Sequence, residues 1–443
     1  MDTPIFDFVQ NYIKSNTARL HMPGHKGVSF LGCEAADITE IKGADELYAP
    51  TGIIRKSEEN ATLLFDTAKT VYSAGGSSQS INAMLYLAYQ KADKSQRPFV
   101  LAGRNAHKSF IYALAKLDAD VEWLYPDDEL LGITSCYVDG EMVEDALKKF
   151  LYKPFAVYIT SPDYMGILSD IESIAEVCNR YNIPLLVDNA HGSYLKFAKR
   201  DRHPTTLGAD MCCDSAHKTL PVLTGGGYLH IAKSDKYGFA KNAINAMAIF
   251  GSTSPSYLIL QSLDLCNKYI DEKIREDIER CANKLIEFQD LINDKYIASL
   301  SFEPLKFTID FRGYVFDFVK HFRSHGIEFE YADDNFIVFM FSPQNSDEDF
   351  EKFKVALEQI EVKGQKDGEG IVIPHSKRVM TIREAIFSEC EEIDVEEAVG
   401  RICASSAVSC PPAIPIAVSG DEITNEHIKL FNKYKIDKIL VVK

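Results

Sequence analysis

The chain has 443 residues, 46% apolar and 26% charged, which is enough for two or three hydrophobic cores and typical of a multi-domain globular protein. Its net charge of −17 argues against a nucleic-acid surface, because such a surface needs basic clusters to neutralise phosphates. It contains no run of 18 uncharged apolar residues, so no membrane span is expected.

Short β-rich runs alternate with amphipathic helical stretches from about residue 70 to residue 232. The predicted strands, in chain order, are Thr70–Ala74, Phe99–Ala102, Val121–Tyr125, Ala156–Thr160 and Ile183–Val187. Three helices are predicted between these strands. The first has Ile81, Met84, Leu85 and Ala88 on one face, and the second covers Lys108–Leu117. The third begins at a capping box formed by Ser169–Glu172. These repeated units predict an α/β fold with a mainly parallel sheet and helices on both faces. Ligands of such sheets bind at the carboxyl ends of the strands.

The second half of the chain predicts a smaller α+β domain. Its predicted helices are Asp271–Leu291, Val315–Ser324 and Asp347–Ile360, and its strands are Leu305–Asp310, Ile327–Tyr331 and Phe336–Phe341. The polar, glycine-rich Lys363–Gly370 is the best linker candidate, and a C-terminal segment follows with a helix at Ile382–Phe387. We expect an N-terminal arm over residues 1–55, a large domain over 56–265, a small domain over 266–362 and a C-terminal segment over 371–443.

The ten cysteines are scattered and include no CxxC pair, so neither a disulfide framework nor a zinc site is expected. The acidic N-terminus lacks the basic-then-apolar order of a signal peptide. Together these features favour a reducing cytoplasm.

Lys218 is the residue that best indicates chemistry. It follows a hydroxyl and an imidazole in Ser215–Lys218 and precedes the glycines of Gly225–Gly227. Such a lysine can hold an aldehyde cofactor as a Schiff base while its neighbours bind a phosphate. A His-Lys pair on a loop is more often only solvated, so the interpretation depends on matching motifs elsewhere.

Three further motifs match. Gly75–Ser78 lies between a strand and a helix, where glycines and a helix N-terminus suit a phosphate, although a serine-capped turn has the same pattern. Asp188 ends a buried strand and can pair with a protonated pyridine nitrogen, or simply cap a helix. His107 also follows a strand and can stack on a cofactor ring, although a lone histidine there is more often a cap.

Taken together, these motifs resemble the Orn/Lys/Arg decarboxylase family, whose members are fold type I, aminotransferase-like enzymes that use pyridoxal phosphate (PLP). The resemblance covers almost the whole chain. The segments that carry it are His21–Gly27, Asp45–Gly52, Gly75–Ser78, Arg104–Ser109, Asp188–Gly192, Ser215–Lys218, Ser252–Tyr257, Arg383–Ala385 and Pro411–Pro415.

The resemblance implies a role for each site residue. The expected catalytic residues are Lys218, which binds PLP covalently, Asp188, which pairs with the pyridine nitrogen, and His107, which stacks on the ring. The remaining expected cofactor contacts are the residues that bind the PLP phosphate, namely Gly76, Ser77, Ser78, Ser215 and His217. Ala190 is expected beneath the ring and His191 near the cofactor. Ser252 or Thr253 is expected to reach the phosphate of a partner subunit, which implies a homodimer with active sites at the subunit interface.

Two departures from the family pattern stand out. Similar proteins commonly have Tyr-Pro-Pro-Gly-Ile-Pro where this chain has Cys410–Pro415, with Ala413 in place of glycine. The chain also lacks the amino-terminal wing of the large inducible bacterial enzymes and resembles the short biosynthetic type, which serves polyamine biosynthesis.

The resemblance implies decarboxylation of a basic amino acid, with arginine favoured over lysine and ornithine. Asp45 and Glu46 are candidates for reading the substrate side chain. A PLP-dependent aminotransferase or another lyase is the alternative. A transaminase usually needs an arginine for the substrate carboxylate, and Arg378, Arg383 and Arg401 lie in the right general region of the sequence. A non-catalytic PLP-binding protein is the third interpretation.

Overall fold

The described part of the chain folds into two units, each built from two separated stretches of sequence. The computed structural model describes residues 1–126, 133–293, 299–300, 303–361, 373–405 and 413–443. The first unit comprises residues 1–92 and 175–277, and the second comprises residues 93–174 and 278–443. No helix in these described ranges is both long and apolar enough to cross a membrane.

The first unit contains four strands in the order β1-β7-β6-β5. Their bounds are Lys69–Ser73 for β1, Leu185–Asp188 for β5, Met211–Asp214 for β6 and Gly227–Ile231 for β7. β5 and β6 are parallel, whereas β7 is antiparallel to both β6 and β1. Every residue of β5, β6 and β7 is buried, which explains why these strands are continuous apolar runs rather than alternating patterns.

The helices of the first unit cover this sheet and carry its loops. Their bounds are Pro4–Lys14 for α1, Ile53–Phe65 for α2, Gly76–Tyr89 for α3, Ala216–Thr219 for α7, Ala243–Ile249 for α8 and Tyr257–Glu272 for α9. α3 packs against β6, β7 and α8. Two helices contain a sequence boundary between the two units. They are α6 at Ile171–Tyr181 and α10 at Ile274–Asn293.

The second unit contains three groups of strands. β4, β2 and β3 are parallel neighbours in that order, at Ala156–Thr160, Phe99–Gly103 and Asp120–Leu124. An antiparallel group has the order β10-β11-β9-β8, at Tyr331–Ala332, Phe336–Met340, Lys306–Asp310 and Ser299–Leu300. β12 at Cys390–Asp394 pairs antiparallel with β13 at Lys438–Val442.

The helices of the second unit are short. Their bounds are Lys108–Leu117 for α4, Gly140–Leu147 for α5, Phe318–Ser324 for α11, Asp347–Glu358 for α12, Ile382–Phe387 for α13 and Asn425–Lys433 for α14. Aromatic side chains of β9, α11 and β11, and of the residue after β11, pack around Phe353 of α12. The rings of Phe307, Phe322, Phe339 and Phe341 have centroids within 5.7 Å of that ring.

Most of the predicted elements are confirmed within a few residues, and three details are wrong. The predicted strand Ile327–Tyr331 is reduced to Tyr331–Ala332. The predicted helix at Val315 begins instead at Phe318, because the Asp317 carboxylate accepts the N–H of Lys320. Asp170, not the predicted Ser169, caps α6 by accepting the N–H of Ser173 at 3.2 Å. The predicted linker Lys363–Gly370 lies outside the described residues.

Candidate active site

α3 begins at the predicted phosphate-binding turn. Its N-cap residue is Gly75, and among the described residues no side chain caps it. Gly76 has a φ of +65°, which favours glycine, and its N–H donates to the carbonyl of Gly225 at 2.7 Å. The amino-terminal end of this 14-residue helix therefore presents the positive end of its dipole at the turn.

The segment that carries Lys218 meets α3 at this turn. The Ser215 hydroxyl donates to the Ser77 hydroxyl oxygen over 2.8 Å, although 138 residues separate the two serines. Nδ1 of His217 is 2.9 Å from the carbonyl oxygen of Gly226. Burial lowers the pKa of His217, and the neighbouring Lys218 cation lowers it further, so its imidazole is neutral at pH 7.

A glycine makes this close approach possible. A Cβ on Gly227 would lie 2.6 Å from the carbonyl oxygen of Asp214 and 3.3 Å from the carbonyl carbon of Gly76. The strand can therefore pass both β6 and the start of α3 only without a side chain at this position. Hydroxyl, imidazole and amide groups gather here as phosphate binding requires.

Lys218 extends from α7 to the loop that follows β5. Its Nζ is 2.9 Å from Nε2 of His191, whose side chain is buried, while Lys218 itself is exposed. Where Lys218 is an ammonium, it donates in this contact and Nε2 of His191 accepts. The pair can hold or pass a proton at Nζ.

Asp188 lies buried at the carboxyl end of β5, as predicted. Its Oδ1 accepts the N–H of Ala190 at 3.2 Å and the S–H of Cys213 at 3.5 Å. Burial, followed by the charge of Asp188, raises the pKa of the Cys213 thiol, so the thiol stays protonated as a donor. Both contacts are made to Oδ1, and together they fix the orientation of the carboxylate.

His107 belongs to the second unit, where it precedes α4. Its Nδ1 accepts the N–H of Ser109 at 3.1 Å, so the residue caps the helix. This bond leaves the proton of a neutral ring on Nε2. In the same unit the buried Arg104 donates to the carbonyls of Pro415 and Ile416, each at 2.8 Å, and so joins the Arg104–Ser109 motif to the C-terminal segment.

Three further residues expected at the phosphate are at the surface of the first unit. Ser78, Ser252 and Thr253 are exposed. The Ser252 hydroxyl accepts the N–H of Ser254 at 3.1 Å, which holds that turn. In the N-terminal motif, Nε2 of His21 is 2.7 Å from the Tyr12 hydroxyl.

Asp45, one of the two candidates for reading the substrate side chain, hydrogen-bonds to the backbone at the start of α2. Its two carboxylate oxygens accept the N–H groups of Thr51, Gly52, Ile54 and Arg55, at 2.8 to 3.3 Å. Despite partial burial, these bonds lower the pKa of Asp45. Asp45 therefore anchors the start of α2, whereas Glu46 is exposed.

The three arginines that kept the aminotransferase alternative open are bound within the second unit. Arg378 pairs with Asp421 at 3.2 Å, Arg383 donates to the carbonyl of Ala115 at 3.0 Å, and Arg401 pairs with Glu391 at 2.7 Å. Each therefore has a structural contact to lose before it can bind a substrate.

One cluster was missed by the sequence reasoning. The cluster consists of His203, Asp214 and His230, which are fully buried in the first unit. Both imidazoles contact the same carboxylate oxygen, Oδ2 of Asp214. Asp214 directly precedes the predicted Ser215–Lys218 motif, and this position was the only feature of the sequence that could have pointed to it. The two histidines are isolated in sequence, so no pattern marked them.

The first unit fits the PLP group that the motifs imply. Gly76, Ser77, Ser215 and His217 meet at the start of α3, and Lys218 reaches the loop that begins at Asp188. A phosphate site, an amine and a buried carboxylate are the groups that hold PLP in proteins.

Comparison with known families agrees with this arrangement. Residues 3–312 match the model of the Orn/Lys/Arg decarboxylase major domain, and residues 371–435 match that of the Orn/Lys/Arg decarboxylase C-terminal domain. An arginine decarboxylase of Bacillus subtilis is 29% identical, with 98% of this chain and 93% of the relative covered. One from Halalkalibacterium halodurans is also 29% identical, over 96% and 92% of the two chains.

Solved structures share the fold. The lysine decarboxylase of Francisella novicida superposes with a TM-score of 0.81 at 17% identity, covering 100% of this chain and 81% of the other. The constitutive lysine decarboxylase of Escherichia coli gives 0.76 at 18% identity, covering 100% and 82%. These similarities confirm the expected fold class, an α/β fold type I architecture with a mainly parallel large-domain sheet.

Proposed function

The chain belongs to the Orn/Lys/Arg decarboxylase family, and on that premise we propose that this PLP-dependent amino-acid decarboxylase acts on arginine. The observation that supports the site most strongly is the meeting of Ser77, Ser215 and His217 beside Lys218. These groups come from two distant segments and are those required to bind PLP. The reaction releases CO₂ and leaves the corresponding amine.

We assign the cofactor-binding roles residue by residue. The start of α3, with Gly76, Ser77 and Ser78, binds the phosphate together with Ser215 and His217. Ala190 would pack beneath the ring, and His107 is the residue that the resemblance implies would stack on it. When bound, PLP supplies an aldehyde carbon that condenses with amines and a ring that withdraws electrons from the bond to be broken.

The protein's own groups then control charge and protons. Asp188 would pair with the protonated pyridine nitrogen, because a buried carboxylate at that position favours the protonated ring. Lys218 would hold the cofactor covalently through its Nζ, and it would make way for the substrate amine and release the product. His191, 2.9 Å from its Nζ, takes the proton that Lys218 must lose before it acts as a nucleophile.

The choice of arginine rests on the relatives, since both arginine decarboxylases align with nearly the whole chain. A guanidinium needs a carboxylate for recognition. Because Asp45 is committed to the start of α2, Glu46 is the better candidate of the two.

The aminotransferase alternative is weakened by the ties of Arg378, Arg383 and Arg401 to other groups in their unit. An assay that quantifies CO₂, amine and keto acid from arginine, lysine and ornithine separates the two reactions. Keto acid without CO₂, or no product at all from the PLP-loaded protein, would refute decarboxylation.

Borohydride reduction tests the lysine directly. We expect reduction to fix PLP to Lys218 in the wild-type protein, and Lys218→Ala to remove both the label and the activity. Lys233→Ala is the matched control, because Lys233 is a 71% exposed lysine of the same unit that pairs with Asp66. A label on another lysine, retained in Lys218→Ala, would overturn the assignment.

We also propose a cytoplasmic homodimer with active sites at the subunit interface, in which Ser252 or Thr253 reaches the partner's phosphate. The support is an exposed apolar strip in the N-terminal arm, formed by Leu20, Met22, Val28, Phe30 and Leu31. Strips of this kind mark association surfaces. Light scattering should show that the wild-type protein is a dimer and that the double variant Phe30→Ser/Leu31→Ser is a monomer. A wild-type protein that is monomeric and fully active would exclude shared active sites.

A further inference from the structure

The structure assigns Asp214 a role as a positioning residue, which ties the loop that carries Asp188 to the segment that carries Lys218 through a hydrogen bond with Asn189. The inference rests on the proposed PLP site and deepens it. Neither Asp214 nor Asn189 touches the reacting atoms in this scheme. They act through the residues next to them.

The carboxylate of Asp214 is surrounded by donors. Its Oδ1 accepts the side-chain N–H of Asn189 at 2.6 Å. Its Oδ2 is 3.3 Å from Nε2 of His203 and 3.2 Å from Nε2 of His230. The three charged or titratable side chains are completely buried, and so is Asn189. A buried carboxylate with three donors of this kind is held in a single orientation.

The outer nitrogens of the two imidazoles complete this pattern. Nδ1 of His230 is 2.8 Å from the Thr70 hydroxyl, and Nδ1 of His203 is 2.8 Å from the Thr205 hydroxyl. Hydroxyl protons pointing at Nδ1 leave the imidazole protons on Nε2, where they point at Asp214. Each ring nitrogen of the two imidazoles therefore has a hydrogen-bond partner.

The charge state agrees. Although burial opposes ionisation, the two imidazoles hold the pKa of Asp214 well below its usual range. Burial lowers the pKa of His230, which Asp214 only partly offsets. An ionised carboxylate is therefore the stable form of Asp214.

The network connects two strand ends. Asn189 directly follows Asp188 at the end of β5, and Asp214 directly precedes Ser215 at the end of β6. The backbone N–H of Asn189 also donates to the carbonyl of Cys213 at 3.0 Å. Two bonds thus set the separation of these strand ends, and that separation decides where Lys218 meets His191.

Two single variants and their combination test the role. Asn189→Ala removes the tie at Oδ1 and leaves the contacts of both imidazoles with Oδ2, and Asp214→Asn removes the charge but keeps the shape. We expect each to weaken PLP retention about tenfold, because each loses a charge-assisted bond. The double variant should be no weaker than the worse single, within about twofold, because both act through one bond.

The readouts separate positioning from general stability. Visible circular dichroism of bound PLP reports its orientation, and borohydride labelling reports the fraction fixed to Lys218. Both signals should fall in Asn189→Ala. Ser57→Ala is the matched control, because it also removes a buried hydrogen bond to a carboxylate, that of Asp264, in the same unit. It should lower the melting temperature and leave both signals unchanged.

Each outcome has one meaning. If wild-type protein is not labelled at Lys218, the proposed function fails first. If it is labelled but Asn189→Ala matches wild type, if the two effects simply add, or if Ser57→Ala reproduces the loss, the positioning role is wrong. Elemental analysis that finds one divalent metal per chain, lost in His203→Ala, would also overturn it, because the imidazoles would then be ligands and not donors.

Discussion

Glu58→Gln should stabilise the first unit, and the gain should grow with pH. Glu58 lies on α2 with 5% of its surface exposed, and its Oε1 accepts the N–H of Tyr72 at 2.9 Å. Burial raises its pKa from 4.5 to about 8, against the opposing effects of Tyr72 N–H and Lys69. Folded protein thus keeps a proton that unfolded protein loses.

The sign and size follow from these two pKa values. Below pH 4.5 both states are protonated and there is no penalty; between pH 4.5 and 8 the free energy of unfolding falls as pH rises; above pH 8 the penalty is constant. The penalty is about 1 kcal/mol at pH 5 and about 3 kcal/mol at pH 7, at 1.36 kcal/mol per pKa unit. A glutamine keeps the acceptor for Tyr72 and cannot ionise.

Urea denaturation at pH 5, 6 and 7 measures the difference, and hydrogen exchange of the β1 amides reports the same region locally. Both should be run on protein without PLP. Glu59→Gln is the matched control, since Glu59 is 58% exposed and pairs with Arg55, and its effect should stay within about 0.5 kcal/mol at every pH. Parallel stability curves for wild type and Glu58→Gln from pH 5 to pH 7 would refute the reasoning.

Three further changes have predictable results. Ala413 has a φ of +59°, so Ala413→Gly should raise the free energy of unfolding by about 1 kcal/mol in urea, and a lower value would contradict the strain argument. Gly227→Ala forces β7 away from Asp214, so PLP retention measured by absorbance should fall about tenfold or more, and unchanged retention would argue against the packing described. Asp45→Ala leaves the start of α2 uncapped and should lower stability by about 1–2 kcal/mol in thermal unfolding, whereas a loss confined to KM for arginine would return Asp45 to substrate recognition.

Local patterns were sufficient to predict the site's separate pieces. The turn at Gly75–Ser78 could be predicted because glycines between a strand and a helix are a local pattern. Asp188 could be predicted because it ends an apolar run. Their roles in holding PLP remain proposals. Cys410, Pro411 and Pro412 of the C-terminal turn lie outside the described residues, whereas Ala413 shows why a glycine suits its position.

Other features had no local signal. Asp45 looked like an acidic loop residue, but the chain reverses there with a φ of +74° and aims four N–H groups at its carboxylate. The capping residue of α6 was misplaced by one position for a similar reason, because Ser169 and Asp170 are both good caps and only the helix geometry chooses between them.

The amino-acid sequence by itself determined the alternation of strands and helices and the residue types able to hold PLP, because both depend on short-range patterns, and its motifs gave the resemblance to the family. Which of those residues meet was decided by tertiary structure. β7 returns antiparallel between β1 and β6, and this order brings Thr70 opposite His230 and places His230 against Asp214. Contacts across such distances depend on strand order and register, and neither is encoded in the neighbours of any one residue.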